Sequence, residues 1–296
     1  YHLGVVNSFW DVYNVLVQAR AFPKERRRIG QVCERMLEWT LGVMTPCGHS
    51  PTVGDSEYDI PQSQFLRIGA ARGNAALLWA SGATAADIRS SRESQGVKKA
   101  TRPSKPEAPS VHHASSGFAV VRDRWHPEGL YLNVNYGPYG GGHSHNEALA
   151  FQMWAKGSPV AVDCGRGISY DDPLHGPWYK SVYAHNTVAV DGAGPSLTGS
   201  RGKLAFWTAG KDVDFLGMTH RGYEESGVAH RRCYLINKAE QYAVVLDFLD
   251  SDTDHLYEWV LNTPERVVAR RNKATGGALA VVEADSGNVE GVEVSP

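Results

Sequence analysis

The spacing of apolar residues changes once along this chain, and this change constrains the fold more than any other feature of the sequence. Up to about residue 84, apolar residues recur at helical intervals, in residues 2–20, after Pro23 and from Phe65 through Trp79. Beyond about residue 110 they form short runs, several with period-two alternation, separated by Gly, Pro, Asn and Asp. This order predicts helices followed by antiparallel sheets, in a multidomain chain of mixed α and β class.

The number and spacing of the β-like runs favour a sandwich of antiparallel sheets. The runs are GFAVVRD, LYLNVNY, LAFQMWA, SPVAVD, NTVAVDG, KLAFWTA, YAVVLDFLD and LYEWVLN. Between the two patterns, a stretch rich in Ser, Lys and Pro has the composition of a linker or a surface excursion. The predicted boundaries are therefore 1–84 for the helices, 85–110 for the linker and 111–296 for the β-sandwich.

Charge and hydropathy exclude two classes of protein. The chain has 30 Lys and Arg against 32 Asp and Glu, a net charge of −2, whereas a general nucleic-acid binder needs a basic surplus. No apolar run approaches the ~18–20 residues of a membrane span. The chain opens with Tyr1 inside an apolar periodic segment and closes within strand-like sequence. We therefore expect a fragment of a longer protein, in which a missing signal peptide says nothing about secretion.

Two histidines and one aspartate form a candidate metal set. His143 and His145 are separated by one residue, so on an extended strand their rings would point to the same face. Asp163 ends one apolar run and His185 begins another. If these strands are adjacent, two imidazoles and a carboxylate converge in a set that zinc accepts. The alternative, which spacing leaves open, is hydrogen-bonded core histidines and an aspartate that caps a turn.

Tyr170 is a candidate acid or base. It lies in a loop beside Arg166 and upstream of His185. A free phenol has a pKa of ~10 and is a poor base, but nearby cations lower that value and allow general acid–base chemistry. The alternative is an amphipathic ring on a loop. Trp178 and Tyr179, close by in sequence, are the preferred pair for stacking on a sugar ring.

The ordered motifs resemble one known family. They are His143-Ser144-His145, then Asp163-Cys164-Gly165 at a strand end, then Ala184-His185-Asn186-Thr187. The segments SSGFAVVRDRW and HRRCYLINKAEQYAVVLDFLD flank them, and YHLGVVNSFW and a PxGxxPxxGDSxxD-like loop precede them. This combination resembles the heparinase II/III-like and oligoalginate lyase families of polysaccharide lyases. The resemblance implies the closing helices of a partial α/α toroid followed by an antiparallel β-sandwich.

The resemblance also implies a role for each matching position. His145, Asp163 and His185 correspond to the ligands of a zinc ion that is mainly structural. An additional role of this zinc in catalysis is left open. His143 corresponds to an active-site histidine.

The resemblance assigns further roles around the substrate. Tyr170 corresponds to a loop acid/base, and Tyr1-His2 to the toroid segment that supplies a second Tyr. Arg166 is the nearest candidate to bind the substrate carboxylate.

Two departures from the family pattern affect these roles. Glu147 stands where the family usually has Asp, so we expect a shifted contact behind the zinc ligands. An earlier Asn-His pair has no counterpart here, so we expect weak activity or none from this piece alone.

The implied reaction is β-elimination on a uronic-acid-containing polysaccharide or oligosaccharide. The C5 proton beside a carboxylate can leave only when the charge of that carboxylate is neutralised. The implied partner is thus an acidic glycan, in the periplasm or secreted, with a homodimer left open. Two alternatives are a zinc-dependent hydrolase that uses His145, Asp163 and His185, and a non-catalytic glycan-binding domain. The polymer, and endo versus exo cleavage, are not identified by the sequence.

Overall fold

The computed structural model divides the chain into two compact units. It describes residues 1–138, 140–197, 202–264, 267–271 and 278–282, the last two ranges as backbone only. The first unit is Tyr1–Pro51 with Ser56–Val111, and the second is Thr52–Asp55 with His112–Pro296. The short segment Thr52–Asp55 therefore belongs to the second unit, although it follows helical sequence.

The first unit is helical, as its sequence pattern predicts. Pro23 occupies the first turn of the second helix, where its missing N–H has no intrahelical acceptor to lose. No helix in the described part of the chain is long and apolar enough to cross a bilayer. The helices are α1 (His2–Gln18), α2 (Pro23–Val43), α3 (Gln62–Arg72), α4 (Ala75–Ala80) and α5 (Ala85–Ser94).

The predicted third helical segment is two helices. Gly73 ends α3 in the left-handed region with φ +71°, a conformation that glycine adopts without strain. The Asn74 side chain then accepts a hydrogen bond from Leu77 N and caps α4. Apolar periodicity continues through this break, which is why the pattern alone predicted one segment.

The stretch predicted as a linker begins with a helix. In α5, the Thr84 hydroxyl accepts from Asp87 N, and the Asp87 carboxylate accepts from Thr84 N, which is a capping box. Ile88 is the buried residue of this helix. A single anchoring residue in a polar, Ser-rich helix gives almost no amphipathic signal, which explains the missed prediction.

The second unit contains antiparallel sheets. The strands are β1 (Val111–His113), β2 (Phe118–Arg122), β3 (Tyr131–Asn135), β4 (Ala150–Ala155), β5 (Ser158–Ala161), β6 (Val188–Val190), β7 (Lys203–Ala209), β8 (Val213–His220), β9 (Ala229–Asn237), β10 (Tyr242–Asp250), β11 (Tyr257–Trp259), β12 (Val267–Arg271) and β13 (Ala278–Val282). The first sheet contains β1 to β5 in sequence order, and the second contains four strands in the order β10-β9-β8-β7. In addition, β6 pairs with β11, and β12 pairs with β13.

One apolar core joins the two large sheets, which makes this unit a sandwich. The first sheet contributes residues such as Val121, Leu132 and Phe151, and the second contributes Leu216 and Ile236. Burial of these inner faces is the main stabilising term. All eight predicted runs contain a strand. β1, β8, β9 and β12 were not among them. β13 lies in the strand-like sequence at the end of the chain, and the part of that sequence after residue 282 lies outside the described residues.

A buried ion pair ties the second sheet to the first. The guanidinium of Arg232 on β9 donates to both carboxylate oxygens of Asp247 on β10, at 2.7 and 2.9 Å. A further Arg232 nitrogen donates to the carbonyl of Leu149 at 3.1 Å and to that of Asn186 at 2.7 Å. The indole of Trp259 donates to Asp247 at 2.9 Å. Arg232 is fully buried, so the free energy of this region depends on every partner being in place.

Two histidines extend this ion pair into a chain of hydrogen bonds. Gly222 N donates to His220 Nδ1 at 3.0 Å, which places the His220 proton on Nε2. His220 Nε2 then donates to His230 Nδ1 at 2.7 Å, and His230 Nε2 donates to Asp247 at 2.7 Å. Burial lowers the pKa of His220 to about 3, and the neighbouring His230 adds to that effect. Burial also lowers the pKa of His230, so both rings are neutral in the folded protein near pH 7.

Replacement of Asp247 should destabilise the sandwich. Asp247→Asn removes the negative charge that faces the buried Arg232, and we expect a loss of about 3 kcal/mol in the free energy of unfolding, measured by urea denaturation. The control is Asp250→Asn at the exposed end of the same strand, with an expected change within about 0.5 kcal/mol. Equal effects of the two variants would contradict this role.

The neutral His220 should make the fold acid-sensitive. The pKa of His220 falls from 6.5 to about 3 on folding, so its contribution to stability is complete above about pH 6.5 and is lost as the pH falls toward 3. Urea denaturation across this range should show a falling free energy of unfolding. His220→Gln does not titrate and should give a shallower pH slope, whereas an unchanged slope would exclude His220 as the source.

Candidate functional site

Asp163 and His185 meet in the interior of the second unit. Asp163 follows β5 by two residues, and His185 lies after a short 3₁₀ turn, Val182–Ala184, and before β6. His185 Nδ1 donates to Asp163 Oδ2 at 2.6 Å, and Gly165 N donates to Asp163 Oδ1 at 2.8 Å. Burial lowers the pKa of His185, but the Asp163 carboxylate beside it more than offsets burial, so the net shift is upward.

Glu147 completes this cluster. Glu147, Asp163 and His185 are all buried, and their ligand atoms lie within 4.8 Å of one another. Burial raises the pKa of Glu147 to about 8, and the Asp163 charge contributes to this rise. The sequence predicted a shifted contact behind the ligands for Glu147. In the structure its carboxylate is a member of the cluster itself.

His145 lies beside the cluster and not within it. Its ring centroid is 5.2 Å from that of His185, and its Nε2 donates to Asp55 Oδ1 at 2.8 Å. The prediction that His143 and His145 share a strand face is wrong, since residues 141–147 lie outside any strand, in the loop between β3 and β4. The Gly-rich sequence before them favours a loop, and both rings reach the same carboxylate from it.

The metal-type cluster, defined as Glu147, Asp163 and His185, forms together with the adjacent His145 a donor set that fits a metal ion. Within the described chain, His145 Nδ1 and His185 Nε2 are buried and have no hydrogen-bond partner. A buried polar atom left unpaired costs about 1–3 kcal/mol, and a cation would relieve that cost. Imidazole nitrogens together with carboxylate oxygens form a set that zinc accepts. A bound cation would also offset the repulsion between the two buried carboxylates.

A second cluster surrounds the carboxylate of Asp55. His143 Nδ1 lies 2.9 Å from Oδ2, His145 Nε2 2.8 Å from Oδ1, His175 Nε2 3.5 Å from Oδ1 and Lys180 Nζ 3.6 Å from Oδ2. Burial alone would raise the pKa of Asp55, but hydrogen bonds from His145 and His143 and the charge of Lys180 lower it below its ordinary value. Asp55 is therefore an ionised, buried acceptor.

The segment Thr52–Asp55 is held in place by hydrogen bonds that it donates to backbone carbonyls. Asp55 N donates to the carbonyl of His143 at 2.9 Å, and the Thr52 hydroxyl donates to the carbonyl of Asp163 at 2.8 Å. Gly54 has φ +52°, and a Cβ there would overlap the His143 carbonyl oxygen. Only glycine allows this close approach without strain.

Tyr170 lies among cationic and aromatic groups. Its ring centroid is 6.3 Å from that of His143 and 5.1 Å from that of His175. The guanidinium of Arg166 lies over the Tyr170 ring at 5.0 Å. Half of Tyr170 is exposed, so a ligand can reach the ring from solvent. The structure thus brings three predicted site residues together: His143, Arg166 and Tyr170.

The predicted sugar-stacking pair lies on one π-helical turn, His175–Tyr179. Such turns occur frequently at functional sites. Trp178 is 44% exposed, so its indole face is open to a ligand. Tyr179 donates to Asp172 at 3.4 Å and is half-buried. Trp178 therefore has the accessible ring of the pair.

Tyr1 and His2 belong to the helical unit. Tyr1 is 86% exposed, and His2 Nε2 lies 3.1 Å from the carbonyl of Met36. Their assignment to the site remains a prediction from the family resemblance.

A cleft of about 210 Å³ opens beside His143 in the second unit. His143, His145 and Glu147 are in its wall, with Ser116 and Asn135 as further polar groups. Residues of both clusters therefore line a space in which a ligand can bind.

Sequence reasoning missed the residues around Asp55. Asp55 was visible only as part of the GDS sequence in a loop, and nothing in the spacing of His175 or Lys180 pointed to a common partner. Asp55 precedes His143 by 88 residues, so only tertiary structure could reveal their contact.

Comparison with solved structures finds the same fold in several polysaccharide lyases. A heparinase III with methylated lysines superposes with a TM-score of 0.73 at 19% identity, over 92% of this chain and 40% of that protein. Heparan sulfate lyase HepC from Pedobacter heparinus gives 0.71 at 18% identity, over 97% and 44%. A further heparinase III gives 0.69 at 16% identity, over 90% and 42%. The chain thus spans less than half the length of these structures.

Comparison at the level of sequence finds the family. No curated protein matches the chain. The family model described as Heparinase II/III-like, C-terminal, matches residues 105–292, which is more than half of the chain. These residues include the whole metal-type cluster and the site around Tyr170. The chain belongs to the heparinase II/III-like family.

Proposed function

We propose that this chain is part of a polysaccharide lyase that cleaves a uronic-acid-containing polysaccharide or oligosaccharide by β-elimination. The observation that carries the proposal is the grouping of His143, Arg166 and Tyr170 in the second unit, with the Tyr170 ring exposed. Membership of the heparinase II/III-like family supports it. So does the fold shared with proteins named heparinase III and heparan sulfate lyase.

Proton abstraction from C5 requires neutralisation of the neighbouring carboxylate. We assign this role to His143 and Arg166, whose side chains both approach Tyr170. Tyr170 exchanges a proton with the sugar, as the acid that protonates the leaving O4 or as the base at C5. Tyr1 of the helical unit is the proposed second Tyr. His2, Trp178 and Tyr179 are the proposed substrate contacts, of which Trp178 has the most accessible ring.

We propose zinc as the metal of the buried cluster. Asp163 and His185 would hold it, with His145 Nδ1 and Glu147 as the remaining donors. When bound, zinc would supply a positive charge that fixes the carboxylates and the loops that carry them. The chain's own residues perform the proton transfers. We further propose an acidic glycan as partner and a periplasmic or secreted location.

Tyr170→Phe should abolish the formation of unsaturated sugar ends in the full-length protein. The variant keeps the ring that packs on Arg166 and removes the hydroxyl that moves a proton, and we expect a loss of about 10²–10⁴-fold in kcat. Full-length protein is incubated with heparan sulfate, hyaluronan and alginate, and the ultraviolet absorbance of unsaturated ends is recorded.

The matched control for this variant is Tyr242→Phe on β10. Tyr242 is 46% exposed and lies in a strand of the second sheet, so its loss of a hydroxyl should leave kcat unchanged. Retention of wild-type kcat by Tyr170→Phe would remove Tyr170 from the scheme.

Chelation should reveal what the metal does. We expect about one zinc per chain by elemental analysis. Removal with a chelator should lower the thermal midpoint, because the folded cluster then loses the free energy of metal binding. The products of the loaded protein should carry a double bond.

The alternatives give different products in the same assay. Saturated products, with turnover lost as soon as the chelator is added, would indicate a zinc hydrolase. Equilibrium binding of a glycan without any product would indicate a binding domain. Either result would contradict the lyase assignment.

A further inference from the structure

We propose that Asp55 is a positioning residue that sets the ring tautomers of two histidines at once, His143 in the active site and His145 beside the metal-type cluster. The activity part of this inference rests on the proposed lyase function. The part that concerns the ring tautomers and the zinc affinity does not depend on the reaction. Asp55 does not touch the reacting atoms in this scheme, and it acts through the two imidazoles.

The two carboxylate oxygens of Asp55 are divided between the two rings. Oδ2 lies 2.9 Å from His143 Nδ1, and Oδ1 lies 2.8 Å from His145 Nε2. An ionised carboxylate only accepts hydrogen bonds, so each of these ring nitrogens must carry a proton. In the neutral rings the lone pairs are then on His143 Nε2 and His145 Nδ1.

The lone pair of His145 is on the nitrogen that metal binding needs, whereas His143 must take up a second proton, on Nε2, to neutralise a substrate carboxylate. His145 Nδ1 is buried without a hydrogen-bond partner in the described part of the chain, beside the cluster of Asp163 and His185. It is therefore available as a metal donor, in the arrangement in which a carboxylate orients a ligand histidine. His143 faces the cleft, and its tautomer is set by the same group.

The position of Asp55 is fixed from several sides. Its backbone N–H donates to the His143 carbonyl at 2.9 Å. Lys180 donates to the Gly142 carbonyl at 2.6 Å and lies 3.6 Å from Asp55 Oδ2. The Asp55 side chain is only 3% exposed, so water cannot replace a lost partner freely. A substitution of Asp55 should therefore alter the hydrogen bonds of both rings.

The substitution Asp55→Asn makes the two polar ends of the side chain chemically different. Asp55→Asn keeps the size of the side chain, but one oxygen becomes an NH₂ group, which cannot accept from an imidazole N–H. Only one of the two rings can keep its hydrogen bond. The other ring must rotate or change tautomer, and either response alters the metal donor or the active-site histidine.

The experiment compares Asp55→Asn with wild-type full-length protein. We expect zinc affinity, measured by competition with a chromogenic chelator, to fall about 10–100-fold. We expect kcat on the polymer that gives unsaturated ends to fall about 10²-fold with KM nearly unchanged, since Asp55 does not bind the glycan in this scheme.

The matched control is Asp214→Asn. Asp214 is a carboxylate of the same unit that is buried to a similar degree and bonded to Lys238 at 2.8 Å, far in sequence from the cluster. This variant should lower the thermal midpoint and leave zinc affinity and kcat unchanged. Equal losses of zinc affinity in the two variants would show a general effect of destabilisation and overturn the proposal.

Tautomers are measured directly in the zinc-free protein labelled with ¹⁵N-histidine. Long-range ¹H–¹⁵N spectra distinguish protonated from unprotonated ring nitrogens, and we expect the protons on His143 Nδ1 and His145 Nε2. A proton on His145 Nδ1, or unchanged tautomers together with unchanged zinc affinity in Asp55→Asn, would overturn the proposal. If no polymer gives product, the proposed function fails, while the zinc and tautomer measurements still decide the role of Asp55.

Discussion

The bonds of the buried Arg232 guanidinium determine how the β-sandwich is assembled around its site. Arg232 donates to Asp247 within the second sheet and to the carbonyl of Leu149, which immediately precedes β4 of the first sheet. It also donates to the carbonyl of Asn186, the residue after His185. Leu149 has φ +58°, an unusual conformation for a leucine, and this conformation is stabilised by the bonds to its carbonyl from Arg232 and Tyr234. The same guanidinium therefore joins the sheets and fixes the chain next to the metal-type cluster.

Asn186, whose carbonyl accepts from Arg232, also forms hydrogen bonds next to the residues of the site. Its side-chain nitrogen donates to the carbonyls of Phe151 and Val162, and its side-chain oxygen accepts from Asn262 N. His185 and Asp163 are thereby held by their immediate neighbours in sequence before any ion binds. Buried polar networks with every member satisfied are rigid, because each lost bond costs a desolvated group. Within the described residues, His145 Nδ1 and His185 Nε2 have no hydrogen-bond partner, in contrast to this environment, and they mark the place where a ligand is expected.

The sequence predicted the order of the architecture well and the details of the site less well. Most of the described strands were predicted from short apolar runs, several with period-two alternation, and Asp163 and His185 were singled out at the ends of such runs. The break at Gly73–Asn74 was missed because the apolar periodicity continues through it. The helix α5 was missed because its own apolar pattern is too weak. Glu147 was expected behind the ligands, yet its longer side chain reaches the cluster.

Local sequence by itself determined the class of the chain, the positions of most strands and the residue types available for a metal and for proton transfer. These properties depend on the periodicity of apolar residues and on the chemistry of single side chains. Only the tertiary structure decided that Asp55 would face His143 and His145, and that His175 and Lys180 would surround the same carboxylate. Contacts between residues so distant along the chain arise from how the loops pack on the folded sheets, and no spacing within one segment encodes them.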